Sequence, residues 1–305
     1  MPAAAYQRRQ GRYEGVSVFM MLNNAYLLIG ASVLMHVAWN LMARHVDSRA
    51  NYLWWGLLAH LTILGPYAVW HLLQNANWQP PLVTALFSTS VANTLYFIAL
   101  RRAYHYAPVA LVYPLARSSP ILILLWSWLF FSQLISIWEL VAISISVIGL
   151  WILAASSRHG DTRHALPWTI LAALSTSVYS LSDKVAVEYL PGFAEQLGFI
   201  SIGYATSFLG LTLVQRVETN RWLPQTRPSI AYILIGGLFI GTAYALVVRA
   251  MGQLPAAHVV SFTNGGIVLA VLLSILAFGE REHWRQRLVG ALVVSGGLVL
   301  LGWLS

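Results

Sequence analysis

Apolar and polar positions in this chain segregate into long blocks instead of alternating residue by residue. About 20 apolar residues span a bilayer core as a helix, and runs of that kind fall at 25–43, 52–72, 82–101, 107–130, 137–155, 166–187, 194–214, 230–250, 256–278 and 286–304. Charged or Pro/Asn-containing breaks part them at Arg44 to Arg49, Asn75 to Pro81, Arg158 to His164, Arg216 to Pro228 and Glu280 to Arg287; only Arg101 to Pro108 separates the third run from the fourth. The period-2 alternation of an outer-membrane barrel is absent, so the pattern predicts an all-α integral membrane protein of about ten transmembrane helices. Trp78, Trp138, Trp168, Trp222 and Trp284 fall near predicted ends, where an indole suits the headgroup level. Arg8, Arg9 and Arg12 precede the first run, but no small-x-small cleavage site follows it. Residues 1–24 therefore read as an N-terminal tail, not a signal peptide.

Composition narrows the class. With 58% hydrophobic and 9% charged residues and a mean hydropathy of +0.66, neither a soluble domain nor a disordered chain fits. The net charge of +8 suits arginines anchoring loops to anionic lipid, not nucleic acid. Zero cysteines exclude disulfides, thiolate catalysis and Cys-ligated metals. Asp47, Asp161 and Asp183 are the only aspartates and form no acidic pair for Mg²⁺. HExxH and GxSxG are both missing. No enzyme, cofactor or metal is therefore expected.

The chain also repeats itself. Shifted by 147 residues, 102–153 falls on 249–300 without a gap and with 13 identities in 52 positions, among them Arg102 on Arg249, Pro108 on Pro255, Ser127 on Ser274 and Gly149 on Gly296. At an offset of 140, Trp39-Asn40 and Arg44 fall on Tyr179-Ser180 and Lys184. This is a duplication: a first five-helix repeat at 25–155, a linker at 156–165 and a second repeat at 166–304. Because five is odd, the second repeat enters the membrane from the opposite side. The expected fold is two inverted five-helix repeats around a central cavity, with the site near the midplane.

Two runs carry a family likeness. Ala110-Leu111-Val112-Tyr113-Pro114-Leu115-Ala116-Arg117 in the first half, with Phe278-Gly279-Glu280-Arg281 ahead of Gly290 and Gly296-Gly297 in the second, resembles the EamA-like branch of the drug/metabolite transporter superfamily over residues 25–304. Ser132-Gln133 stands in the first half where the second has Gly279-Glu280, so that turn does not perform charged chemistry in both halves. The resemblance implies a secondary transporter that exports or exchanges a small metabolite by alternating access. It names no substrate.

Polar residues inside the spans supply the candidate site. Arg117 lies about ten residues into the fourth run, and intramembrane charges are functional candidates by default. Its guanidinium matches a carboxylate, phosphate or phosphonate; the alternative is an internal clamp onto a neighbouring helix's carbonyls or Asp183. Tyr113 lies one turn before it, and Pro114 and Pro120 can free backbone carbonyls around it. Its repeat mate is Asn264, followed by Gly265-Gly266. Ser32, His36, Trp39 and Asn40 share one face of the first helix. Thr176, Tyr179, Ser180 and Asp183 form the matching stripe on the sixth, and Tyr244 lies in the eighth. Arg117, Tyr113, Asn264, Trp39, Asn40, Tyr179, Ser180 and Tyr244 are the expected substrate-binding set, for a small polar, anionic or zwitterionic molecule. His36 and Asp183 are the candidates for proton coupling, with helix-to-helix bonding as the alternative for both. The cavity is expected to be lined by the first, third, fourth, sixth, eighth and ninth helices, leaving the fifth and tenth peripheral. Gly237-x-x-x-Gly241 and Ala291-x-x-x-Ser295 read as close-packing faces.

A non-transporting scaffold or sensor is the alternative function, with an integral membrane enzyme behind it. A scaffold would not need polar stripes repeated in both halves. The expected partners are the substrate and the lipid bilayer, with a homodimer compatible and no nucleic acid; the expected location is a bacterial inner (plasma) membrane. Orientation is contested. Five Lys/Arg (Arg8, Arg9, Arg12, Lys184 and Arg249) lie on the side of the termini and twelve on the odd-numbered loops. Loop charge therefore places the termini outside, whereas the resemblance places them in the cytoplasm. A start at Met20 or Met21 would remove three of the five.

Overall fold

The computed structural model describes residues 24–43, 46, 50–157, 160–279 and 282–305. The tail through Met20 and Met21, Arg44, Asp47, Arg49, Arg158, Glu280 and Arg281 lie outside the described residues. Among the described residues, thirteen α-helices follow in order: α1 (Ala25–Ala43), α2 (Tyr52–Ile63), α3 (Gly65–Asn75), α4 (Pro80–Tyr106), α5 (Val109–Ala116), α6 (Ser119–Phe131), α7 (Ile137–Ala155), α8 (Thr162–Ala186), α9 (Phe193–Thr219), α10 (Ile230–Met251), α11 (Ala256–Thr263), α12 (Gly265–Leu276) and α13 (Trp284–Leu304).

Local chemistry sets the helix ends. The Asn24 side chain accepts from the N–H groups of Tyr26 and Leu27 and starts α1. Ser136 and Glu139 close a capping box on α7, which satisfies two otherwise orphaned donors. Asp161 caps α8 by accepting from the His164 N–H. Prolines occupy the first turns of α3, α4 and α6, where a missing N–H costs nothing.

Three of the predicted runs are broken helices. The second bends by 56° between α2 and α3, at Leu64, ahead of Gly65-Pro66. The fourth breaks between α5 and α6 at Arg117-Ser118, and the ninth between α11 and α12 at Asn264. Those last two breaks sit at the same repeat position. Pro114 inside α5 and Pro120 at the head of α6 interrupt the first by removing backbone donors. In the second, Gly265-Gly266 follows the break at Asn264, and two glycines weaken a helix through backbone entropy.

Among the described residues, eight segments are long and apolar enough to cross a membrane (α1, α4, α5 with α6, α7, α9, α10, α11 with α12, and α13), and the bent pair α2–α3 makes a ninth if it is one span. The count of ten differs at α8. That helix has 25 residues, enough length, but Ser175, Ser177, Ser180, Ser182, Asp183 and Lys184 dilute its apolar character.

The halves interdigitate. The most extensive helix pairs are α4 with α8, α7 with α13, α10 with α1 and α2, and α9 with α3 and α4. Each pairs one repeat with the other. Glycines permit the closest approaches: a Cβ on Gly237 would stand 2.5 Å from the Ala59 Cβ, and one on Gly241 would run into the His60 ring. His60 in turn bridges from α2 to Ser201 of α9 at 2.9 Å. On the face of the even-numbered loops, His258 reaches Glu139 at 3.2 Å and His71 lies 3.6 Å from Glu195, both across the repeat boundary.

Candidate functional site

A cavity of about 980 Å³ lies between the halves, within the upper range for small-molecule sites. Its lining runs from the ends of α1, α4 and α9 and the loop residues Leu223, Pro224 and Gln225 down to Val247, Val260 and Thr263. Along α9, Tyr204 to Thr219 spans roughly 22 Å at 1.5 Å per residue. The mouth thus lies on the face of the odd-numbered loops.

Arg117 stands at the break between α5 and α6, deep in this cavity. Its Nε donates to Asn264 Oδ1 at 3.0 Å and its Nη2 donates to Thr263 Oγ1. Asn264 Nδ2 returns a bond to the Arg117 carbonyl at 3.2 Å, so the amide serves both the side chain and a carbonyl freed by the helix break. Asp183 is not its partner, and no described carboxylate pairs with it. A guanidinium has two edges that can grip an oxyanion. The Nε/Nη2 edge is spent on the second repeat. The Nη1/Nη2 end is uncommitted, and the residue faces the cavity. A clamp and a cavity-facing group are thus combined in one side chain. The Tyr113 ring lies 6.0 Å from the Arg117 Cζ, within range of a cation–π contact.

His36, Trp39, Asn40, Tyr113, Tyr179, Ser180 and Tyr244 all line this same cavity with Arg117. The Trp39 indole donates to His36 Nδ1 at 3.1 Å. An indole N–H is donor-only, so the imidazole proton sits on Nε2. Asn40 Nδ2 donates to the His36 carbonyl at 2.7 Å.

Two sequence candidates lie behind the wall. Asn264 is fully buried and acts on Arg117. Asp183 is fully buried and accepts from the Thr89 hydroxyl and the Tyr244 hydroxyl. Lys184 does not pair with it; the ammonium donates to the Met251 carbonyl instead. Tyr244 therefore has a face on the cavity and a hydroxyl on the buried carboxylate.

The second and seventh spans also contribute. Asn51 and Tyr52 of the second and Tyr204, Gln215 and Glu218 of the seventh line the cavity, and sequence reasoning had assigned those spans no part in it. Tyr96 and Phe97 of α4 join them. Rings within apolar runs read as core, and only their spatial convergence marks them as lining. Tyr96, Tyr179 and Tyr244 form an edge-to-face chain with centroids 5.8 and 5.7 Å apart. At the mouth, Glu218 is shared by Arg101 at 2.6 Å and Arg102 at 3.2 Å. No described residue of the fifth or tenth span, α7 or α13, reaches the cavity.

Among the described residues, no group of three or more His, Cys, Asp or Glu side chains could hold a metal ion. A family model for the EamA-like transporter family matches residues 23–155 and again 164–303. A solved structure described only as "Crystal structure of protein" superposes with a TM-score of 0.67 at 18% identity, covering 92% of this chain and 99% of the other; that likeness establishes a shared fold. None of the curated proteins compared with the chain matches it.

Proposed function

Because the chain belongs to the EamA-like transporter family, we propose that it is a secondary transporter carrying a small polar metabolite with an anionic group, as exporter or exchanger, by alternating access. In this reading α2–α3 is one bent span and α8 is the sixth, so that two inverted five-helix repeats span the membrane ten times. The carrying observation is the state of Arg117. A lone arginine at the centre of a span costs roughly 2.5–3.5 kcal/mol on insertion scales. Hydrogen bonds to Thr263 and Asn264 offset part of that cost, while one end of the guanidinium stays open toward the cavity. A purely structural arginine has no use for an uncommitted end. Because Arg117 belongs to the first repeat and its supports to the second, a ligand there touches both halves at once.

Proton coupling belongs to the same reading. His36 lines the cavity, and Asp183 is connected to it through Tyr244. The two are not in contact with each other, so each would exchange protons along its own route.

Metabolite profiling of an overexpressing strain against a null strain identifies the substrate. Counterflow of that compound in proteoliposomes then tests the role of Arg117. Wild-type counterflow by Arg117→Leu at normal abundance would overturn it.

A further inference from the structure

The charge and hydrogen-bonding balance of the cavity goes further than the binding of one anionic group. Its described lining holds three arginines, Arg101, Arg102 and Arg117, against one carboxylate, Glu218. Glu218 is already shared by Arg101 and Arg102. Asp183 lies behind the wall, occupied by Thr89 and Tyr244. No carboxylate of the described lining is therefore left for a cation.

Donors, by contrast, are plentiful. The Nη1 end of Arg117 is uncommitted, and His36 keeps its proton on Nε2. Tyr96, Tyr104, Tyr113 and Tyr204 line the cavity, and their hydroxyls donate to no described protein acceptor. The rest of the lining is ring surface. The Tyr96–Tyr179–Tyr244 chain presents ring edges and faces of opposite polarity, an arrangement that receives another flat ring.

We infer that the cavity is selective for an organic anion of net negative charge with an aryl or similarly flat apolar body, over a zwitterion or a cation of the same skeleton. This rests on the proposed role of Arg117. An ammonium group entering the site loses its water without gaining a carboxylate, and a buried charge without a partner is strongly disfavoured. Ring faces could in principle hold a cation, but the Arg117 guanidinium already lies 6.0 Å from the Tyr113 ring and repels a second positive charge.

Four probes separate the terms: 3-phenylpropanoate, phenylalanine, 2-phenylethylammonium and hexanoate. Binding is read as ligand-dependent thermal stabilisation of the purified full-length chain in nanodiscs. The expected order has 3-phenylpropanoate binding at least about tenfold tighter than phenylalanine, hexanoate weaker than 3-phenylpropanoate, and 2-phenylethylammonium not at all. Binding should weaken as ionic strength rises and fall about 100-fold in Arg117→Leu. Phenylalanine binding as tightly as 3-phenylpropanoate, with both lost in Arg117→Leu, overturns the selectivity for an anion and leaves Arg117 as the anchor. Hexanoate binding as tightly overturns the aryl part alone. Binding of none of the four, or binding indifferent to Arg117→Leu, overturns this inference and the proposed role of Arg117 together. Should Arg117→Leu fail to fold, Arg117→Lys and the salt titration of the wild-type chain replace it; equal affinities in the lysine variant, or no salt dependence, count against the inference.

Discussion

Arg117 acts through geometry as much as through charge. Lysine keeps the charge but has no planar fork, so it cannot satisfy Asn264, Thr263 and a ligand together. Arg117→Lys should raise the KM for the substrate about tenfold, measured by initial-rate uptake into proteoliposomes. Thr263 was not among the residues singled out from sequence, yet its hydroxyl holds Nη2. Thr263→Val keeps the shape and removes the acceptor; it should raise KM severalfold with protein abundance unchanged, and an unaltered KM would deny Thr263 a positioning role. For His36 and Asp183 the expected signature is uncoupling. His36→Gln or Asp183→Asn should make net flux insensitive to an imposed ΔpH while exchange continues. Flux that follows ΔpH as in the wild type in both variants removes proton coupling through these groups.

At the scale of elements, the close crossings decide stability. Gly241 of α10 lies against the His60 ring, and a Cβ there would run into two ring atoms. Overfilling such a contact costs typically 1–3 kcal/mol. Gly241→Val should therefore lower the unfolding temperature of the purified protein by several degrees, whereas Gly296→Ala, with nothing within 4 Å of the added Cβ, should leave it unchanged. A melting curve for each settles the comparison. The helix breaks at Arg117 and Asn264 belong to this scale too. Different residues produce them, proline on one side and glycine on the other, but the same repeat position is opened in both halves. Hydrogen bonding between the two breaks joins α5 and α11 where backbone groups would otherwise lack partners.

The whole molecule is held together across the repeat boundary. Because α4 packs chiefly on α8, and α1 on α10, these helices are buried more by the other half than by their own. Residues 1–157 and 160–305 produced separately should aggregate or be degraded, and produced together they should co-purify; a stable, monodisperse first half alone would contradict this architecture. Orientation belongs to this level too. The twelve Lys/Arg on the odd-numbered loops predict those loops in the cytoplasm, against the family resemblance, which puts the termini there; on the charge count the cavity mouth should face inward. Fusions after Ser305 should then give active phosphatase and dark fluorescent protein, and the reverse pair of signals would turn the mouth outward.

Much of this was legible in the linear pattern, because the bilayer imposes it. Length and apolar character mark ten runs, of which eight, or nine with the bent pair α2–α3, stand as membrane-long apolar spans among the described residues, and the 147-residue offset exposes the duplication. Arg117, His36, Tyr179 and Tyr244 stood out because polar or aromatic groups are unusual inside apolar runs, and they do line one cavity. The limits of composition appear at α8, whose polar stripe is buried between the halves while Leu166, Ile170, Leu174 and Val178 form its exposed row, so only one face of it has to be apolar. Tertiary structure alone decided the rest. The Asn264–Thr263 grip on Arg117, the withdrawal of Asp183 behind Tyr244, and the entry of Asn51, Tyr204 and Glu218 into the lining all depend on which helices of opposite halves lie side by side. Sequence periodicity reports which face of a helix is polar, but not which helix that face meets.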